Sequence, residues 1–343
     1  MDTRPGDPTG PRKRATMADV AREAGVSRQL VSLVVRGVGY VSEQKRAQVL
    51  EAADRLGYRR NALAAGLAAH STRVIGMPVY DLHNQVYAQL GDGVTEVLSA
   101  HGYQLLLTTG VHDLAALRRN VDALVGLRPD GIILATHGHS EQLAAHVADV
   151  PTVTVGEPLD LADSDSVQGD DVAGAALATE HLLSLGVRDI VFIGGPDGRQ
   201  GKARREGYEQ TMRAASATPR SVAGDATLEG GRDAFAALLV NGVSPKAVIC
   251  YNDPTALGVM ESARDHGLTV PDDVAVVGYD GSPPAGYSGV DLTTVDQRAA
   301  ELGATAARLL LERIEGGRTE ARHEVITPTL TARRSTLGLQ PGS

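Results

Sequence analysis

The chain has 343 residues, more than one ordinary domain needs, and its 33 Lys+Arg against 42 Asp+Glu give a formal net charge of −9. One cysteine, Cys250, excludes an internal disulfide framework and any zinc-type cysteine set. No run of 18 apolar residues and no apolar signal-peptide core are present, so neither a membrane-spanning helix nor export is expected, and the expected compartment is cytoplasmic.

Charge is unevenly placed. Residues 1–73 hold 13 Lys+Arg against 7 Asp+Glu, a net of +6, which leaves −15 on residues 74–343. A basic head on an acidic body is the electrostatic footprint of a nucleic-acid binder. The first 15 residues, MDTRPGDPTGPRKRA, are Pro/Gly-rich and polar and are expected to be a disordered basic tail. Thr16 precedes Asp19 by the three residues of a capping box, and Val20, Ala21 and Ala24 follow at helical spacing before Gly25. Ser27 opens a second helix to about Arg36, with Leu30, Val31, Val34 and Val35 as its apolar positions. Ser42 opens a third through Leu56, with Ala47, Leu50, Ala53 and Leu56 expected on its inner face. Two short helices joined by a tight Gly-containing turn form a helix-turn-helix, whose second member suits the major groove. Three helices that merely pack on one another are the alternative.

From Arg73 the texture changes. Val74–Val79, Tyr103–Leu107, Gly131–Leu134, Thr152–Val155, Ile190–Ile193, Ala247–Cys250 and Val274–Val277 read as buried parallel strands. Helices are expected near 86–100, 113–127, 140–148, 172–185, 203–215, 229–240, 254–266 and 297–314. Strict alternation of β and α implies doubly wound parallel sheets, and two such series in tandem imply two similar lobes.

The first 67 residues also carry a resemblance. Asp19-Val20-Ala21, Ala24-Gly25-Val26-Ser27, Val31-Ser32, Val41-Ser42, Leu56-Gly57-Tyr58, Asn61, Ala64 and Leu67 resemble the head of lactose-repressor/galactose-repressor (LacI/GalR) type transcription regulators. The resemblance implies an all-α helix-turn-helix head plus hinge helix, joined to a periplasmic-binding-protein-like α/β core of two doubly wound lobes. By it, residues 16–60 form the head, 61–72 the hinge and 73–337 the core. Lobe 1 would take about 73–168 and 297–326, and lobe 2 about 169–296 and 327–337.

The resemblance places Arg28, Gln29 and Ser32 toward base edges or the adjoining backbone, where Arg28 could fork onto guanine and Gln29 pair with adenine. Ser27, Tyr40, Ser42 and Arg46 would lie along the phosphates, and Thr16 and Arg36 are counted with them as DNA-contacting. Asn61, Ala64 and Leu67 fall on the hinge helix, too short at roughly ten residues to be stable alone, with Leu67 as a minor-groove wedge. An Ala-rich linker is the plainer reading of that stretch. Leu30, Leu33, Arg36 and Arg60 depart from the family's usual Thr, Arg, Asn and Pro, so no operator sequence is borrowed.

Within the core the resemblance assigns Tyr87, Gln200, Arg204, Asn252, Asp280 and Gln297 to an effector cleft between the lobes. The family's Pro-Phe is replaced by Gln85-Val86. Each residue could instead be a loop residue capping a helix, Asp253 and Asp81 above all. The expected effector is a carbohydrate, with a nucleoside or another polar metabolite open. Gly194–Lys202 resembles a phosphate loop, but Pro196 stands at its first Gly and Ala203 at its Ser/Thr. His137 and His139 are two ligands without a third, and Cys250 reads as a small buried hydrophobe. No cofactor, metal or catalytic set is expected. The expected partners are pseudo-palindromic operator DNA, a small-molecule effector and a second copy of the chain. A transport-associated solute-binding protein and a doubly wound enzyme are the rival classes; the first lacks a reason for the basic head and the second lacks a nucleophile–base set.

Overall fold

The computed structural model describes residues 15–59, 71–79, 81–109, 113–135, 140–159 and 164–338. The N-terminal basic tail, the hinge residues Asn61, Ala64 and Leu67, Arg60 and the pair His137 and His139 lie outside the described residues. The chain divides into two compact units, Met1–Thr72 and Arg73–Ser343.

Among the described residues the first unit has three helices, α1 (Met17–Glu23), α2 (Arg28–Arg36) and α3 (Glu43–Arg55). The capping box forms in full. Thr16 Oγ1 accepts from Asp19 N at 3.3 Å, and Asp19 Oδ2 accepts from Thr16 N at 2.9 Å. These bonds to Thr16 hold the Asp19 carboxyl below its ordinary range. Ser27 caps α2, accepting from Leu30 N at 3.2 Å. Val20, Ala21, Ala24, Val31, Val34, Val49 and Ala52 make a small closed core.

The inner face of α3 differs from expectation. Val49 and Ala52 are buried and Ala53 is half-buried, whereas Ala47, Leu50 and Leu56 are exposed. The reason is geometric. A strict three-residue step falls short of a 3.6-residue turn, so 47, 50, 53 and 56 precess around the helix instead of keeping to one face. Ser42 stands at the N-cap of α3, but its side chain makes no capping bond.

The second unit alternates β1 (Val74–Val79), α4 (Val86–Ala100), β2 (Gln104–Thr109), α5 (Leu114–Gly126), β3 (Gly131–Leu134), α6 (Ser140–Val147), β4 (Thr152–Val155) and β5 (Asp165–Gly169). The pattern then repeats: α7 (Asp171–Ser184), β6 (Ile190–Ile193), α8 (Arg199–Ala214), β7 (Arg220–Val222), α9 (Leu228–Val240), β8 (Ala247–Cys250), α10 (Asp253–Asp265) and β9 (Ala275–Asp280). Last come β10 (Thr293–Asp296), α11 (Ala299–Gly316), β11 (His323–Ile326) and β12 (Thr329–Thr331). One sheet runs β11-β5-β4-β3-β1-β2 and the other β12-β10-β9-β8-β6-β7. Every pairing is parallel except β10 with β12.

The sequence passes between the sheets at Gly169–Asp171, at Asp296–Ala299 and at Ile326–Thr329. Helix α11 returns to the first sheet and packs on α4, whose Gly93 leaves room for the Ala300 carbonyl; a Cβ there would sit 1.8 Å from that oxygen. Asp165 is fully buried and forks onto Arg313 and Arg318, which fastens β5 to the end of α11. Burial alone would raise that carboxyl, but the two arginines pull it down to about 2.

Most expected strands are found, with one correction. The second strand begins at Gln104 and is not buried: Leu106 and Leu107 are exposed, because β2 is the edge of its sheet and pairs on one side only, with β1. Helix α8 starts at Arg199, four residues before the expected 203.

Candidate functional site

Open parallel sheets bind ligands beyond the carboxyl ends of their strands, where strand order reverses. The reversals here fall beside β1 in one sheet and β6 in the other. The segments that leave those ends meet in a cleft of about 190 Å³. One wall has Asp81, Asn84 and Tyr87 after β1, and Glu157 after β4. The other has Pro196–Gly201 and Arg204 after β6, Tyr251 and Asn252 after β8, and Asp280 at the end of β9.

Arg204 organises this space. It lies on α8 and is 2% exposed. Its Nε donates to Asp171 Oδ1 at 2.8 Å, and its Nη1 donates to the Tyr251 carbonyl at 2.6 Å and lies 3.9 Å from Asp280 Oδ1. The guanidinium lies over two rings, with the Tyr279 centroid 3.7 Å and the Tyr251 centroid 4.7 Å from Cζ. Burial by itself disfavours the charge, but the neighbouring Asp171 carboxylate opposes it and keeps Arg204 protonated. Gly195 leaves room for the Tyr251 ring, since a Cβ there would meet it at 2.4 Å.

Asp280 is the second anchor. Gln297 Nε2 donates to its Oδ1 at 2.8 Å, and Asn84 Nδ2 reaches its Oδ2 at 3.4 Å from the opposite lobe. Burial pushes this carboxyl up; the neighbouring Arg204 opposes that push, while Asp253 adds to it. Its backbone φ of +125° is a conformation that side-chain-bearing residues rarely adopt. Such strain costs about 1–3 kcal/mol and persists where the surroundings demand it.

All six expected cleft residues come together. Tyr87, Gln200, Arg204, Asn252 and Asp280 line the cleft, and Gln297 lines a smaller adjoining pocket with Tyr87 and Gln200. They are not equivalent. Asn252 caps α10, its Oδ1 accepting from Thr255 N at 2.9 Å while its Nδ2 donates to the Ala226 carbonyl. Its main work is to hold the 225–227 wall. Asp253 is structural, accepting from Ser282 and Thr294 beneath the cleft. Cys250 is fully buried, and burial raises its thiol. The described residues hold no cluster of three or more metal-ligating side chains.

Asp171, Tyr251, Tyr279 and Glu157 were missed in the sequence. Tyr251 directly follows a strand that ends on Cys250, and this position was the available signal.

On the first unit, Thr16, Ser27, Arg28, Gln29, Tyr40 and Ser42 are exposed, and Ser32 and Arg46 half-exposed. Arg28 and Gln29 open α2, and Ser32 lies one turn further on. Tyr40 is 98% exposed. The Arg36 side chain lies outside the described residues.

Comparison with known proteins now decides the family. Residues 16–61 match the model for bacterial regulatory proteins of the lacI family, and residues 179–336 match that for a periplasmic binding protein-like domain. The ribose operon repressor of Escherichia coli K12 is 36% identical over 329 residues, covering 94% of this chain and 99% of that protein. The chain belongs to the lacI family. The lac repressor dimer bound to operator and the anti-inducer ONPF superposes with a TM-score of 0.82 at 27% identity, covering 95% of this chain and 100% of that one. A lacI-family regulator from Enterococcus faecium with bound ribose gives 0.71 at 26% identity, over 79% of this chain and 100% of that one. This lacI-family chain is therefore a DNA-binding transcription regulator with a ligand-binding core, and not an enzyme. Among the described residues, no helix is long and apolar enough to cross a membrane.

Proposed function

We propose that this regulator is a homodimeric repressor, working in the cytoplasm, whose operator affinity is set by a monosaccharide bound in the cleft. The observation that carries the effector reading is the Arg204–Asp280 pair set against tyrosine rings, with Asn84 and Gln297 as flanking amides. Fixed carboxylate acceptors and amide donors match vicinal hydroxyls, and aromatic faces match the apolar face of a sugar ring. The ribose operon repressor and the ribose-bound neighbour make a pentose the first candidate.

Residues 16–60 are read as the operator-contacting head, 61–72 as the hinge and 73–337 as the effector and dimerisation core. Two heads would read a pseudo-palindrome, as two-fold symmetry requires. Asp280 receives bonds from Asn84 in one lobe and from Gln297 on a crossover segment, so a ligand replacing either donor would alter how the lobes are held. Coupling then follows from differential affinity for two lobe arrangements. The test is a panel of monosaccharides titrated onto the protein–operator complex. A sugar that releases or tightens the operator supports the reading, whereas a response confined to nucleosides or other metabolites refutes it.

A further inference from the structure

Four helix N-termini border the cleft, and a side chain already bonds to an early amide at each of them; at α4, Asn84 Oδ1 accepts from Val86 N at 3.1 Å. Thr227 caps α9, its Oγ1 accepting from Gly230 N at 2.9 Å, and Asn252 caps α10. The fourth, at α8, has Gly198 at its N-cap and no side-chain cap of its own. It follows a glycine-rich turn after a parallel strand, the arrangement that cradles phosphates elsewhere. Its donor is instead taken from across the cleft. Glu157, on the loop after β4 of the opposite lobe, accepts from Arg199 N through Oε1 at 2.9 Å.

The surrounding charge points the same way. Asp81, Glu157, Asp197, Asp225 and Asp280 line the cleft against Arg199 and Arg204, and Arg204 is already paired with Asp171. We propose that Glu157 is a specificity determinant. By filling the bordering N-terminus that takes its bond from the opposite lobe, it reserves the cleft for uncharged polyhydroxylated ligands and turns away phosphorylated or carboxylated ones. An anionic ligand at α8 must displace Glu157 and then lie beside it. Like-charge repulsion at contact distance makes that unfavourable by at least about tenfold in affinity. A neutral sugar leaves the cap in place and meets mostly acceptors, which suit hydroxyl donors. Because the capping carboxylate and the capped amide belong to different lobes, the same bond also helps close the cleft.

The inference rests on the sugar-effector reading above, and its test separates the two. Full-length wild type, Glu157→Ala and Glu157→Gln are melted in inorganic phosphate and in chloride at matched ionic strength. Wild type should melt at the same temperature in both. Glu157→Ala, with the N-terminus open, should gain about 2 °C or more in millimolar phosphate, and Glu157→Gln should gain less. Phosphate stabilisation of wild type as large as that of the variants overturns the proposal, as does a Glu157→Ala protein indifferent to phosphate. In parallel, ribose and ribose 5-phosphate, with other monosaccharides and their phosphate esters, are titrated onto wild type and Glu157→Gln. The free sugar should win by at least about tenfold on wild type, and by less on the variant. A wild-type preference for the ester contradicts the role of Glu157. A panel in which nothing binds removes the sugar-effector reading alone, because the phosphate comparison reads the capped N-terminus directly.

Discussion

Replacing Arg204 distinguishes a packed side chain from an electrostatic keystone. The guanidinium is 2% exposed, bonded to Asp171 and the Tyr251 carbonyl, and set over two tyrosine rings. Arg204→Met keeps most of the volume but strands Asp171 and Asp280, whose side chains are only 11% and 3% exposed. Leaving one partner of a buried pair uncompensated costs about 3–5 kcal/mol. Arg204→Ala adds a cavity to the same loss. Arg204→Lys retains the charge but loses the fork and the planar stacking, for about 1–2 kcal/mol. The expected order of destabilisation is therefore Lys, then Met, then Ala. Urea unfolding followed by far-UV circular dichroism reads the core transition, and the sugar response of the operator complex should vanish in Met and Ala alike. A Met variant within about 1 kcal/mol of wild type would refute the reasoning, because that is the behaviour of a side chain that only fills space.

Thr16→Ala removes the hydroxyl arm of the capping box while leaving the Thr16 N–H to Asp19 arm, and should lower the stability of the head by about 1 kcal/mol, read as a lower thermal midpoint of its helical signal; no change would mean the hydroxyl arm contributes nothing. Asp165 is held at about 2 in the folded chain, below its ordinary 3.8. Its stabilisation is accordingly complete above pH 4 and lost as pH falls from about 4 to 2. It contributes about 1–2 kcal/mol after allowance for solvent screening. Asp165→Asn should flatten the acid limb of stability over that window, and an unchanged limb would show that other carboxylates control it. Leu67→Ala should spare the fold yet weaken specific operator binding well beyond non-specific binding in a filter or gel-shift titration. Equal losses in both would remove the wedge from the mechanism.

The fold was legible wherever burial is two-sided. Central strands such as Gly131–Leu134, Ile190–Ile193 and Ala247–Cys250 are continuous apolar runs because helices cover both faces of the sheet. The outer strands were less so. The edge strands β7 and β11 are largely exposed, and β5 (Asp-Ser-Val-Gln-Gly), next to β11, is polar, so none carries such a signature. The α8 start was misplaced because Gly198 and Gly201 read as loop, while Glu157, 42 residues earlier in sequence, supplies the cap. The site divides along the same line. Arg204 and Asp280 were readable from local motif context. Asp171, 33 residues from Arg204, and the two rings around its guanidinium were not, because those pairings exist only once strands and helices are assembled.

The most direct test of a head that reads DNA under control of a cleft that reads a sugar is selection of bound sequences from random duplex DNA. The selected site is then titrated with monosaccharides. A pseudo-palindrome of roughly 16–20 base pairs with a flexible central step, released or tightened by a free monosaccharide, is the expected result. Enrichment of an asymmetric site, or no enrichment with or without sugar, would contradict it.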